Sequence, residues 1–259
     1  SRLCRTLPGP RVLLRLPMIP ITPSTDGADL VRSLLAVPSE RDKQRTIGAS
    51  SFGSACDYCV AQDLVNGGGE NEYALATSIG TAIHSHLEML EEQHLENPII
   101  EEKIVLGELD GYGLITSKPD LVVPVEGTDE WHLLDWKSSQ LKKLKDYRKA
   151  YETEEAEHEF ATLTAARFTM HKYFGQLISY ARGLHLAGIN VQRMSMVFIP
   201  RDGKKLSDIQ AFDFWYDQGY ADRVWERLEA LWQYVAESGD VTQLTSAPGC
   251  FPCEVSGRV

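Results

Sequence analysis

The feature that most constrains this chain is a pair of strand-like segments joined by a turn. The first runs from about Gly113 to Val125, with a break near Pro119, and carries Ser117-Lys118-Pro119-Asp120. The second spans Trp131–Trp136 and leads into Leu134-Asp135-Trp136-Lys137. Between them, Glu126-Gly127-Thr128-Asp129 has turn composition, so the spacing predicts an antiparallel hairpin that brings Asp120 near Asp135. Side chains alternate faces along a strand, so Asp135 and Lys137 point the same way. Two carboxylates can hold a divalent cation, and an ammonium can stand beside the water to be activated. Metal-dependent hydrolysis requires such a grouping.

The flanking patterns are helical. Leu75, Ile79, Ile83, Leu87 and Leu90 recur at spacings of three and four and predict a helix over about Tyr73–Glu96, with His84 and Glu88 on one face. Asn97-Pro98 ends it, and a strand is expected over about Glu102–Leu106. A long helix is predicted over about Glu159–Ala187, with Phe160, Leu163, Phe174, Leu177, Ile178, Ala181 and Leu184 as its apolar stripe. Met194–Ile199 and Gln210–Tyr216 read as strands around an Arg201-Asp202-Gly203-Lys204 turn, and Tyr220–Glu237 as a final helix ended by Gly239. Nearer the start, Ser50-Ser51-Phe52 reads as an N-cap of a helix carrying Cys56 and Cys59. A short helix is expected around Asp29–Ala36. The expected architecture is an α/β layered domain with a mixed sheet.

The chain has 259 residues, 43% of them hydrophobic, and a net charge of -11. That suits one large domain and argues against a generally basic nucleic-acid coat protein, though not against a local basic groove. No run of about 18 apolar residues exists, so no transmembrane helix is expected. Residues 1–25 carry Arg2, Arg5, Arg11 and Arg15 and no acid. This fits a transit peptide or, in preference, upstream read-through or vector-derived sequence over residues 1–17. The expected organisation is an arm over 1–49, one domain over 50–253 and a tail over 254–259.

Four of the five cysteines form two C-x-x-C pairs, Cys56/Cys59 and Cys250/Cys253; Cys4 stands apart. Four thiolates so paired can bind Zn²⁺ tetrahedrally or hold a [4Fe-4S] cluster. Such a site would staple the start of the domain to its end. A reducing cytoplasm fits this pattern better than a secreted disulfide framework.

Together, Pro119-Asp120 on one strand and Asp135-x-Lys137 on the next, in the order αβββαβ, resemble the PD-(D/E)XK nuclease superfamily, with its restriction-endonuclease-like core. Gly80-Thr-Ala-Ile-His84 resembles the RecB-type helix motif, and Gln176-Leu-Ile-Ser-Tyr180 the Gln-x-x-x-Tyr motif of the same exonucleases. The paired cysteines resemble the iron–sulfur members: CRISPR-associated and AddB-type nucleases and their phage relatives. The usual pattern there is one cysteine before the core and three after it, whereas this chain has two and two. In isolation, an Asp-x-Lys is most often a solvated strand face and a lone histidine a core residue. Four motifs in order on the right elements weigh the other way.

The resemblance implies Asp120 and Asp135 as ligands of Mg²⁺ or Mn²⁺, joined by the Trp136 carbonyl and by His84, whose imidazole favours Mn²⁺. It implies Lys137 beside the attacking water, and Gln176 and Tyr180 near the lysine, the water or the phosphate, with Glu88 as a further candidate. Cys56, Cys59, Cys250 and Cys253 are expected to hold [4Fe-4S] in preference to zinc. The implied activity is a DNA exonuclease acting on single-stranded or duplex ends in recombination, repair, phage replication or CRISPR adaptation. It would work in the cytoplasm of a bacterial, archaeal or phage-infected cell, with recombination or CRISPR partner proteins and an oligomeric form both open. The alternatives are a structure-selective endonuclease of the same fold and a nuclease-dead module that binds DNA ends. The run Lys142, Lys143, Lys145, Arg148 and Lys149 reads equally as a phosphate-neutralising patch and as a charged linker balanced by acidic residues 152–159.

Overall fold

The computed structural model describes residues 46–67, 75–154 and 165–258. Cys4, the arm up to residue 45 with its expected helix at Asp29–Ala36, Phe160 and Leu163 lie outside the described residues. The elements, labelled in chain order among those residues, begin with α1 (Ala49–Phe52), α2 (Asp57–Asn66) and α3 (Leu75–His94). Five strands follow: β1 (Ile99–Ile100), β2 (Ile104–Leu109), β3 (Gly113–Ser117), β4 (Leu121–Pro124) and β5 (Trp131–Ser139). Then come α4 (Leu141–Glu154), α5 (Ala165–Leu186), β6 (Val191–Pro200), β7 (Gln210–Trp215), α6 (Gln218–Ser238) and α7 (Phe251–Val255).

The core is a five-stranded mixed sheet in the order β1-β4-β5-β6-β7, flanked by helices. The β4–β5 hairpin forms as its turn composition implies, with Leu121 opposite Leu134 and Pro124 opposite Trp131. Gly127 supplies the positive φ of the turn, at 77°. β5 then pairs in parallel with β6. A parallel pair needs a long crossover, and α4 and α5 provide it. Leu177, Ile178, Ala181 and Leu184 of α5 are fully buried in one cluster with Leu133, Met194, Met196 and Phe198 of the sheet. Among the described residues, no helix is long and apolar enough to cross a membrane.

The structure departs from the sequence expectations in four places. The segment read as one broken strand divides between two sheets: β3 pairs with β2 in a separate hairpin, and β4 joins the main sheet. Pro119 sits at the crossing, where its missing N–H would interrupt any ladder. The basic run at 141–150 is helix, not linker. Leu144, Tyr147 and Ala150 recur every third residue and are buried, so a core-facing stripe lies hidden among the lysines. The helix expected to start at Ser50 and carry both cysteines breaks into α1 and α2. Gly53 stands at the break, pressed against α5 so closely that a Cβ there would lie 2.3 Å from the Lys172 carbonyl oxygen.

The fourth departure concerns α3. The apolar stripe is only partly covered: Leu75 is 64% exposed and Ile79 37%, while Ile83, Leu87 and Leu90 are half-buried. The helix turns Gly80 and His84 toward β5. Glu91 is the buried residue of its described side chains.

Gly53 and Gly175 meet backbone against backbone. A Cβ on Gly175 would meet the Gly53 Cα at 2.0 Å, a distance no side-chain rotation relieves. Gly175→Ala is therefore expected to destabilise the protein by about 1–3 kcal/mol, the range for forced overpacking, measured as a lower urea midpoint at unchanged m-value.

Candidate functional site

Sheet register assembles the site. Continued one residue beyond the paired positions, the β1–β4 and β4–β5 registers set Glu101, Asp120 and Asp135 on one rung across three strands. The Glu101 N–H donates to the Asp120 carbonyl at 3.3 Å. Glu101 sits at φ 48°, in the left-handed region that non-glycine residues seldom occupy. This backbone turn, at the end of a two-residue strand, aims its carboxylate toward His84.

His84 projects from α3, with Nδ1 3.2 Å from Asp120 Oδ1 and 3.9 Å from Glu101 Oε1. Its ring meets the Trp136 indole edge-on, centroids 6.2 Å apart. The Trp136 main-chain N–H donates to Asp120 Oδ2 at 2.8 Å, which ties the carboxylate to β5. At Gly80 the helix runs directly against β5, where a Cβ would stand 3.4 Å from Ser138 Oγ.

Asp135 is 1% exposed, and Lys137 Nζ lies 2.5 Å from its Oδ2. Gln176 Nε2 donates to Asp135 Oδ1 at 3.0 Å and also lies 2.9 Å from the Tyr180 hydroxyl. Gln176 and Tyr180 are themselves each 4% exposed. Gln176 thus holds the Asp135 carboxylate, and Tyr180 in turn holds Gln176.

The charges are mutually adjusted. Burial opposes a proton on His84, but the carboxylates of Asp120 and Glu101 beside it win and push it up to about 9. Burial pushes Asp135 up to about 7 against the pull of Lys137. For Lys137 burial is again opposed and overcome, by the charges of Asp135 and Asp120, so it holds its proton more tightly than free lysine. Glu91 is pushed up to about 7 by burial and by the charges of Asp120, Glu88 and Glu101.

The donor set fits a cation. His84, Glu101 and Asp120 each place one ligand atom within 4.8 Å of the others. His84 Nδ1 and Asp135 Oδ2, ion pairs aside, are buried without a hydrogen-bond partner, as are Glu91 Oε2 and Trp136 Nε1. Buried polar atoms are rarely left so, and all four belong to this one neighbourhood. A mixed carboxylate–imidazole set suits Mn²⁺ or Mg²⁺. A cleft of about 360 Å³ opens beside it, lined by Thr77, Thr81, His84, Lys137, Tyr173 and Arg201.

Sequence reasoning missed Glu101, Glu91, Tyr173 and Arg201. The positive φ and rung position of Glu101 leave no local pattern, and Arg201 read as a turn residue. Of the expected set, His84 and Asp120 fall in the metal-ligand cluster, whereas Asp135, expected as a ligand, lies outside it and is bound by Lys137 and Gln176, with Trp136 joined to Asp120 and Tyr180 to Gln176. The metal-ligand cluster joins Glu101 to His84 and Asp120.

The four cysteines converge separately. Cys59 Sγ lies 3.4 Å from Cys250 and 3.6 Å from Cys253, and Cys56 lies 3.6 Å from Cys253. All four sulfurs lie within 4.8 Å of one another, so they could hold a metal. Cys56 and Cys250 occupy the N-cap positions of α2 and α7. The hydrogen bond from the Cys59 thiol draws the Cys56 thiol well below its ordinary value, against the effect of burial.

No family model and no curated protein matches this chain. Solved structures do. The protein SSO0001 matches at 16% identity and a TM-score of 0.40, over 78% of this chain and 82% of that one. An alkaline exonuclease from Laribacter hongkongensis matches at 13% and 0.45, over 75% and 90%. Its complex with dAMP matches at 11% and 0.46, over 83% and 95%. Similarity at this level assigns no activity.

Metal ligands must shed their protons to bind. The proton on His84 leaves near pH 9 and that on Asp135 near pH 7. Mn²⁺ affinity is therefore expected to rise from pH 6.5 toward pH 9, with proton release on binding. Calorimetry in two buffers of different ionisation enthalpy measures both.

Proposed function

We propose that this chain is a metal-dependent nuclease of the PD-(D/E)XK superfamily that hydrolyses DNA phosphodiester bonds, in exonuclease mode. The observation that carries the reading is the gathering of His84, Glu101, Asp120, Asp135 and Lys137, from distant stretches of chain, beside one cleft. A Mg²⁺ or Mn²⁺ ion held by His84, Glu101, Asp120 and Asp135, with the Trp136 carbonyl, would supply Lewis-acid polarisation of the phosphate and hydroxide near neutral pH.

The chain's own groups do the rest. Lys137 stays protonated beside Asp135 and offers its ammonium to charge developing on the phosphate, rather than acting as a base. Tyr180 anchors Gln176, and Gln176 holds Asp135 in its rotamer. The cleft is roofed by Tyr173, whose ring lies 5.9 Å from the ammonium. Arg201 lines it and adds a guanidinium for a neighbouring phosphate. Lys142, Lys143 and Lys145, exposed on the first turns of α4, extend this positive edge. The α4 start is tied to the Arg201 turn by a Leu141 N–H to Asp202 Oδ1 bond of 2.8 Å.

The second metal centre is read as structural, joining α2 to α7. Around a single Zn²⁺, with Zn–S near 2.3 Å, tetrahedral thiolates lie roughly 3.8 Å apart, close to the sulfur spacing here. A four-iron cluster carries an iron under each thiolate and needs the sulfurs wider apart, so the spacing favours zinc. Metal analysis of anaerobically purified protein decides: stoichiometric zinc without visible colour is expected, and brown iron-loaded protein would restore [4Fe-4S]. Cys56→Ser is expected to lower the metal content and the melting temperature together, with cleavage falling only through stability.

Lys137→Ala is expected to slow cleavage roughly 10²–10³-fold, the range for loss of one preorganised donor to developing charge, while circular dichroism stays unchanged. Asp135→Asn, which keeps the side-chain volume against Gln176, is expected to abolish it. Labelled linear DNA should be degraded in Mn²⁺ and a closed circle left intact. A cut circle would make the enzyme an endonuclease, and tight DNA binding without any cleavage would leave an end-binding module.

A further inference from the structure

A second concavity lies apart from the cleft and shares no residue with it. It is a cavity of about 450 Å³ between the Phe52–Asp57 stretch, α5, α6 and residues 245–248. Its size falls within the ~300–1,000 Å³ of small-ligand sites. Phe52, Val224 and Pro248 give it apolar walls. Two guanidiniums enter it. Arg227 is committed: it holds Asp57 Oδ1 with two nitrogens, at 2.5 and 2.8 Å. Arg223 is not. It is exposed, lies over the Tyr220 ring, 5.5 Å from its centroid, and makes no ion pair among the described residues.

A protein of net charge -11 has acids to spare. A guanidinium with no ion pair among the described residues, on the wall of a concave pocket and beside an aromatic face, is an arrangement that can receive an anion attached to a flat ring. Arginine suits phosphate because its planar fork matches the oxygens. Tyr220 and the apolar walls suit a base, which stacks without regard to sequence. Thr245 and Ser246 add hydroxyls to the rim.

The cavity is also braced by the thiolate centre. Ala55 and Ala247 line it and pack in the cluster of Cys56, Cys250 and Cys253. The Tyr58 N–H donates to the Thr245 carbonyl at 3.2 Å, joining the two walls directly. A metal held there would fix the two segments that form the pocket, which gives the centre a use beyond stability.

We propose that this cavity is a second binding site, separate from the reaction centre, for a phosphate-bearing nucleotide held by Arg223 against Tyr220. The nucleotide is either part of the DNA strand, in which case the site rests on the nuclease reading, or free in solution.

The test uses the intact metal-loaded protein in buffer without added divalent cation, where no cleavage occurs. Binding of a fluorescent single-stranded oligonucleotide is followed by anisotropy, and binding of dAMP by calorimetry. Arg223→Ala is expected to weaken binding about tenfold, the loss of one charge-assisted contact, and Arg223→Lys to restore part of it. Val224→Trp, which fills the cavity, should weaken binding with the charge intact. Loss confined to the oligonucleotide identifies the strand as the source, and loss for dAMP as well identifies a free nucleotide. Unchanged affinity of Arg223→Ala for both ligands overturns the site. The two readings fail separately. Cleavage with Arg223-independent binding sinks this inference alone, whereas Arg223-dependent binding without cleavage in Mn²⁺ sinks the nuclease reading alone.

Discussion

The structure turns on a carboxylate buried where water cannot reach it. Asp135 lies in the middle of β5, the strand that joins the antiparallel and parallel halves of the sheet. Removing a bare carboxylate from water costs several kcal/mol or more even after the protein relaxes. The fold meets that cost with one ammonium and one amide: Lys137 at Oδ2 and Gln176 at Oδ1. These partners come from the same strand and from α5, so the helix must dock in one register over the sheet. The glycine contact between Gly53 and Gly175 then draws α1 onto the same helix. A single buried charge thus ties the crossover helix, the central strand and the approach to the site into one arrangement.

The same logic explains the accumulation of negative charge beside it. Glu101, Asp120 and Asp135 share a rung, with Glu88 and Glu91 on the neighbouring helix. Without a cation these groups repel, and the site responds by holding protons. His84 is pushed up to about 9 by its carboxylate partners, and burial and like charge push Glu91 up to about 7. Protons here occupy the electrostatic role that a divalent ion would take. The strained backbone at Glu101 fits this picture, because local strain persists where the surrounding structure over-determines it.

The thiolates work at another scale. Cys56 and Cys253 are 197 residues apart, and bridging them through a metal closes almost the whole described domain into a loop. Loop-closure entropy grows only slowly with length, but it is largest for such long closures. Ala55 and Ala247 pack with the thiols and also line the cavity that Arg223 enters, so a metal held by the thiols would brace that cavity as well.

Much of this was legible in the chain itself. Period-two and period-three-to-four patterns announced the hairpin, the long crossover helix and α6, because those elements bury one face and repeat it. The Asp120, Asp135 and Lys137 cluster was legible because a short turn and strand alternation are local rules. The rest required the tertiary structure. Glu101 joins the site through a two-residue strand and a positive φ, neither of which leaves a repeat. Helix α4 was obscured because its Leu144, Tyr147 and Ala150 stripe is sparse among lysines. The α3 stripe misled in part, because helical periodicity reports an apolar face without saying how much of it is covered. Sequence alone determined which groups could do chemistry and which stretches could bury them. Only the folded sheet, whose register couples residues far apart in the chain, decided that Glu101, Asp120 and Asp135 stand on one rung.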